Sequence, residues 1–276
     1  MRTMNKVAIA ASLLFASSAF GSTGYEKATI FSAKNAGLAN ATSGVVGGGD
    51  AIYINPAGLV NGPDRQFSFS LAPTSRENTG PTIAGSSTRE RSERYLSPNL
   101  GITAKYKLDE QWHLGWGIYG IAGSVLDFGA QDFAGTGIPS YAALTLEPEV
   151  VSAIGIMEFS VAAGYKINDE WNVGIGWRAS FVNAELAGYS ALDASTLPPA
   201  GGLAAVKYED LAGQNFSGLR LGTQYNGGNW GAGFVYRTRV DFKVEGDVST
   251  QAQSFLGGSV IDLGTSDVEI ENALPS

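Results

Sequence analysis

One histidine, no cysteine and a few well-spaced arginines are most of what this 276-residue chain offers to chemistry. Without thiols there is neither a disulfide framework nor a thiolate metal site. His113 stands alone, so a histidine-rich metal centre is excluded, and no Gly-x-Ser-x-Gly elbow accompanies it as a nucleophile. No catalytic residue, no metal and no cofactor is expected; an enzyme is not what these residues support. Arg178, Arg220, Arg237 and Arg239 do carry a binding chemistry, because a guanidinium suits a carboxylate. In a chain with 18 basic and 26 acidic residues they suit an internal acid such as Asp241 equally well. The same balance excludes an electrostatic nucleic-acid binder, which needs a positive excess to displace counterions from phosphate.

The elements that must position these groups follow from the rest of the composition. Apolar residues make up 44% of the chain, too many for disorder, while charged residues are only 16% and glycines number 37. Residues 1–21 open with Arg2 and Lys6, continue through an apolar run from Val7 to Phe15, and close on the small residues Ala16 to Gly21. That order predicts a secretory signal peptide, its apolar run too short for a spanning helix. Beyond it no run of 18 apolar residues occurs, and the period is two. Trp112, Leu114, Trp116 and Ile118 alternate with His113, Gly115, Gly117 and Tyr119. Trp171, Val173, Ile175 and Trp177 alternate with Asn172, Gly174, Gly176 and Arg178. Trp230, Ala232, Phe234 and Tyr236 open a third copy, and each follows a short turn, at 109–111, 168–170 and 226–229. Successive side chains of a strand point to opposite faces, so every hairpin has one greasy face and one polar or tiny face.

About seven or eight strands of roughly ten residues are predicted, joined alternately by short turns and by long links at 73–95, 121–156 and 187–214. A soluble sandwich would bury the greasy faces against each other. A membrane barrel would turn them to lipid. The signal peptide, the short-turn and long-loop ends, and the Tyr and Trp residues at strand ends favour the barrel. Apolar loop residues Leu126, Phe128, Phe133, Tyr141, Leu144 and Leu146 offer an outer capture groove, or simply pack the loops. Ahead of the first strand lies a segment that does not alternate. It holds Ser32, Gly37, Ala39 and Ala41, then Asp50-Ala51, then the turn Asn55-Pro56-Ala57-Gly58-Leu59.

This segment resembles the N-terminal hatch of the FadL/OmpP1/TodX family of outer-membrane transporters for long-chain fatty acids and other hydrophobic compounds. Pro98-Asn99-Leu100-Gly101, the stretch Leu108 to Gly117, Ala163 to Trp171, and Tyr236 to Val240 resemble the family's hairpins. The resemblance covers about residues 28 to 276, and its most specific part is the Asn-Pro-Ala-Gly-Leu block. It implies an all-β fold: a transmembrane antiparallel up-and-down β-barrel, fourteen-stranded in the family, with residues 22–60 as hatch and 61–276 as barrel wall. Asp50, Asn55, Pro56, Ala57 and Gly58 would be the hatch motif. Ligand, caught by the outer loops, would pass into the plugged barrel and leave sideways into the membrane. Candidate ligand contacts are then Arg178, Arg220, Arg237, Arg239, Phe128, Phe133 and Leu144. The expected partners are hydrophobic small molecules and outer-membrane lipid, met by a monomer in the outer membrane; a general porin or an adhesin-like barrel is the alternative. Seven or eight strands are half of fourteen, so an incomplete chain is expected, ending at Asn272 to Ser276 where a further strand would begin.

Overall fold

A computed structural model describes residues 42–80 and 89–274. The expected signal peptide and the small-residue stretch from Ser32 to Ala41 lie outside the described residues.

Nine strands form a single antiparallel sheet: β1 (Arg65–Arg76), β2 (Tyr95–Lys107), β3 (Trp112–Ala130), β4 (Glu149–Lys166), β5 (Trp171–Leu192), β6 (Gly202–Asn226), β7 (Gly231–Arg237), β8 (Val240–Ser254) and β9 (Ile261–Leu274). Each pairs with its neighbour in sequence except that β7 and β8 both pair with β6, and β1 and β9 end the path. β7 and β8 behave as one interrupted strand: β7 pairs with the lower half of β6 and β8 with its upper half, the break falling at Thr238-Arg239. No helix among the described residues is long and apolar enough to cross a membrane.

The short turns are built by side chains. Asp109 Oδ1 accepts from the backbone N–H of Gln111 and Trp112, at 2.8 and 2.7 Å. Asn168 Oδ1 does the same for Glu170 and Trp171, at 2.9 and 2.7 Å. Both are Asx turns, which reverse the chain within three residues. The N–H groups of Trp112 and Gln111 hold the Asp109 carboxyl below the usual carboxylate range.

The greasy face points out. Trp116, Ile175 and Phe234 are 41, 51 and 67% exposed, which excludes a sandwich closing over them. On β5 the exposed apolar run from Trp171 to Phe181 spans about ten residues, or roughly 25 Å of height for a tilted strand. Trp112 stacks with Tyr165, and Trp171 and Trp230 with Tyr225, at 4.8 to 4.9 Å between centroids, forming an aromatic girdle at the short-turn end. A band of this height and edge fits lipid.

Two expectations need correction. The links at 121–156 and 187–214 are largely strand: β3 to β6 run on past the apolar band as 18- to 25-residue ribbons. The count is nine because Ile261–Leu274 forms β9, a stretch outside the seven or eight strands expected from sequence. Above the band the polarity inverts. Val240, Phe242, Val244 and Val248 of β8 are buried inward, packed with Val268 and Ile270 of β9. Asp241, Lys243, Glu245 and Asp247 point outward. Outside the band the outer face meets water, so charges cost nothing there.

Replacing Ile175 with Arg, on the lipid-facing band, is expected to destabilise the folded protein in phospholipid vesicles by about 2–4 kcal/mol. Gln251→Arg, on the upper extension, should change stability by less than about 1 kcal/mol in the same urea titration. Equal effects at the two positions would contradict the lipid-facing assignment.

Candidate functional site

The chain between Thr42 and Asn61 fills the concave side of the sheet. It comprises a 3-10 turn (Gly48–Asp50), one helical turn (Ala51–Ile54) and a second 3-10 turn (Pro56–Val60). Ala51, Ile52, Tyr53, Ala57 and Leu59 are fully buried. Asn55 fixes the geometry. Its Oδ1 accepts from Ala57 N–H at 3.1 Å, capping the second turn, where Pro56 occupies a first-turn position that needs no N–H. Its Nδ2 donates to Ser43 O within the segment and to Thr223 O on β6, at 2.8 and 2.9 Å. Asp50 ends the first turn and leads into the helical one.

Glycine on the inward parity of the wall makes the fit possible. A Cβ on Gly174 would collide with the Pro56–Ala57 peptide, and one on Gly222 with the Asn55 carboxamide oxygen. The backbone of the inner segment thus lies directly on the backbone of the wall. Polar side chains tie it at other points. Gln224 donates to Val46 O at 3.1 Å and accepts from Asn61 Nδ2 at 2.6 Å, and Lys105 Nζ donates to Asn61 O at 2.7 Å.

The electrostatic centre is Glu158 on β4, fully buried. Arg220 Nη2 lies 3.1 Å from its Oε1 and Arg178 Nη1 3.4 Å from its Oε2. The hydroxyls of Tyr119 and Ser160 lie 3.0 and 2.7 Å from Oε1. Arg220 Nη1 donates to Ile52 O at 2.7 Å and Arg237 to Tyr53 O at 3.3 Å. Both guanidiniums sit about 5 Å from the Tyr53 ring centroid, and Tyr53 meets Tyr119 edge-on. One carboxylate therefore joins β3, β4, β5 and β6 to the inner segment.

Above this network the concave side of the sheet, which does not close between β1 and β9 among the described residues, is unfilled. A cavity of about 770 Å³ is lined by Thr74, Tyr95, Leu100, Ile154, Ile156 and Leu211 among others. It reaches a window in the wall. β2 and β3 pair only from Lys107↔His113 up to Gly101↔Tyr119. Beyond that rung they separate until Glu93 N–H donates to Asp127 O at 2.7 Å. Pro98 lies in the gap, opposite Pro73 on β1. Neither proline can donate to the other, so their ring nitrogens point out of the β1–β2 ladder, and that of Pro98 points at the missing β3 partner.

The family profile of outer membrane transport proteins (OMPP1/FadL/TodX) matches residues 13–275. The chain belongs to this family. The toluene transporter TodX of Pseudomonas putida superposes with a TM-score of 0.64 at 19% identity, over 91% of this chain and 63% of that one. The toluene transporter TbuX of Ralstonia pickettii gives 0.55 at 18% identity, over 84 and 62%. A FadL homologue of Pseudomonas aeruginosa gives 0.57 at 11%, over 85 and 60%. These likenesses show the shared barrel fold, and the chain spans about three fifths of the length of each structure. No curated protein matches it in sequence. As a FadL-family protein it is an outer-membrane β-barrel of a transport family, not an enzyme.

The arginines singled out by sequence part company. Arg178 and Arg220 are 2 and 0% exposed, closed into the Glu158 network, and Arg237 joins them through Tyr53. Arg239 does not face the interior as expected; it lies on the outer side at the β7–β8 break, 2.7 Å from Asp241. Phe133 and Leu144 form a separate outer cluster with Leu203, bordered by Tyr141, Tyr189 and Phe255. The ring of Phe128 covers Gly80. His113 is buried low on β3 opposite Gly164. Glu158 is not among the residues that the sequence singles out, although the inward parity that holds Ser160, Ala162 and Gly164 extends to it; a lone acid on a glycine-rich parity is the available signal.

Glu158→Gln removes the buried carboxylate that Arg178 and Arg220 share. It should cost about 3–5 kcal/mol of stability in thermal unfolding. It should also open the Thr42–Asn61 segment to limited proteolysis before the wall unfolds.

Proposed function

We propose that this protein carries hydrophobic compounds, long-chain fatty acids or hydrocarbons, across the outer face of the outer membrane and releases them sideways into the bilayer. The observation that carries this reading is the cavity opening through the β2–β3 window at the outer edge of the apolar band. A hydrocarbon gains about 0.8 kcal/mol for each CH₂ kept out of water, so a side exit into lipid avoids a cost that a water-filled pore would impose. The lower barrel supports the same reading, since the inner segment occupies it with packed side chains. In this reading residues 22–60 are the hatch, and Asp50, Asn55, Pro56, Ala57 and Gly58 form the part that seats it.

Capture falls to the outer cluster. Tyr141, Tyr189 and Phe255 border it and Phe133 and Leu144 lie beneath, an apolar surface separate from the cavity lining. Arg178, Arg220 and Arg237 act as ties for the hatch. The neighbours' solved structures are described as toluene transporters and a monoaromatic hydrocarbon channel, which agrees with small hydrophobic cargo.

Gly120 tests the route. It lines the cavity beside the window on the outward parity of Trp116 and Ile118, and a Cβ there meets nothing within 4 Å, so a larger side chain stands at the outer lip of the opening without disturbing the wall. In cells producing Gly120→Phe at the normal outer-membrane level, uptake of labelled toluene and hexadecanoate should fall about tenfold, a barrier change near 1.4 kcal/mol. Unchanged uptake would place the route elsewhere, and uptake of a hydrophilic sugar by the unaltered protein would favour a pore.

A further inference from the structure

We propose that Arg76 anchors the head group of the cargo, so that the cavity selects single-tailed amphiphiles with a carboxylate end. This inference rests on the transport reading above and narrows it. The cavity has two unlike walls. On β1 and β2 the interior parity is polar: Thr74 and Arg76 stand opposite Ser97 and Tyr95, with Asn99 one pair lower. This is the side that faces the hatch, for Gln66 on the same parity of β1 accepts from Gly49 N–H. On β3 to β6 the buried lining is apolar, Ile154, Ile156, Ala184 and Leu211, with the carboxylates of Glu185 and Asp210 also among the residues that line it. A guanidinium and hydroxyls thus share one cavity with a buried hydrocarbon surface, which suits an amphiphile better than a plain hydrocarbon.

Arg76 is also uncommitted. Arg178 and Arg220 hold Glu158, and Lys105 holds the Asn61 carbonyl. Next along the chain, Glu77 takes Arg91 and Arg94, at 3.1 and 3.3 Å, and not Arg76. No carboxylate among the described residues lies within ion-pair distance of Arg76. A half-buried guanidinium without an anion is the group best suited to a bidentate carboxylate.

Its height fits as well. Arg76 lies five residues beyond Leu71, the last exposed apolar residue of β1, hence about 12 Å above the band edge for a tilted strand. That is the level of lipid head groups. A carboxylate held there leaves its tail lying down the apolar wall towards the gap between Leu100 and Gly120, already oriented as it must be in the outer leaflet.

The test compares hexadecanoate with hexadecanol, which share a tail, binding to the purified full-length protein and its Arg76→Gln and Arg76→Lys variants. Arg76→Gln should weaken hexadecanoate by about tenfold or more while changing hexadecanol less than about twofold. Arg76→Lys should restore part of the loss. The preference of the unaltered protein for the acid should fade as pH drops through the titration of the carboxylate, and be absent at all pH values in Arg76→Gln. Equal weakening of both ligands, or of neither, overturns the role of Arg76 and leaves the transport reading standing. Failure of the unaltered protein to bind either ligand overturns both.

Discussion

Hydrocarbon cannot hydrogen-bond, and every structural choice in this chain answers to that. A strand inside a bilayer must hand each N–H and C=O to a neighbour, at several kcal/mol for any group left over. The consequence is one continuous antiparallel sheet in which neighbours in sequence pair, β7 and β8 sharing β6 as one interrupted strand. It also makes the exceptions meaningful. The ladder fails between β2 and β3 where the apolar band ends, and the strand that loses its partner carries a proline there, with one donor fewer to satisfy. A gap deeper in the band would strand polar groups in lipid; one higher up would open only to water.

Inside the wall the constraint is space. Backbone lies on backbone where Gly174 and Gly222 meet Pro56 and Asn55, so these contacts leave no room for side chains, and the polar groups of the inner segment must find partners on the wall. Asn55 meets this requirement with one carboxamide that caps its own turn and bonds to β6. Glu158 does the same for charge. Two guanidiniums could not be buried beside the Ile52 carbonyl without an anion, and the single carboxylate carries hydroxyl donors from Tyr119 and Ser160 besides.

Period-two alternation made the lower barrel legible in sequence, because there each face has one environment: lipid outside, packed interior inside. Trp116, Ile175 and Phe234 follow that rule, and so do the turns at Asp109 and Asn168. Alternation failed for β9 and for the outer halves of β3 to β6, since above the band both faces change character. In β8 the alternation of Val240, Phe242, Val244 and Val248 reads as a strand, but its apolar parity turns inward and Asp241, Lys243, Glu245 and Asp247 outward, a choice of face that the height of the strand decides. The site was legible where it rests on backbone conformation, as in Asn55-Pro56, and illegible where it rests on register. Nothing local distinguishes Arg178, tied to Glu158, from Arg239, which a two-residue strand break turns to the outer surface.

Tyr119 connects these levels. Its backbone forms the last paired rung with Gly101, the sill of the window, while its hydroxyl reaches Glu158 and its ring meets Tyr53 of the inner segment. The sill and a tie of the inner segment are therefore one residue. A bulge follows at once, between Gly120 and Ala122, where β3 turns from its β2 partner while keeping β4. The edge of the opening is thus held by the β4 ladder and, from inside, by a buried network, so the width of the gap and the seating of the inner segment share the same bonds. A gap framed by hydrogen-bonded strands alone would have no such dependence; here the carboxylate that ties the inner segment to the wall also reaches the residue at the gap's lower rung.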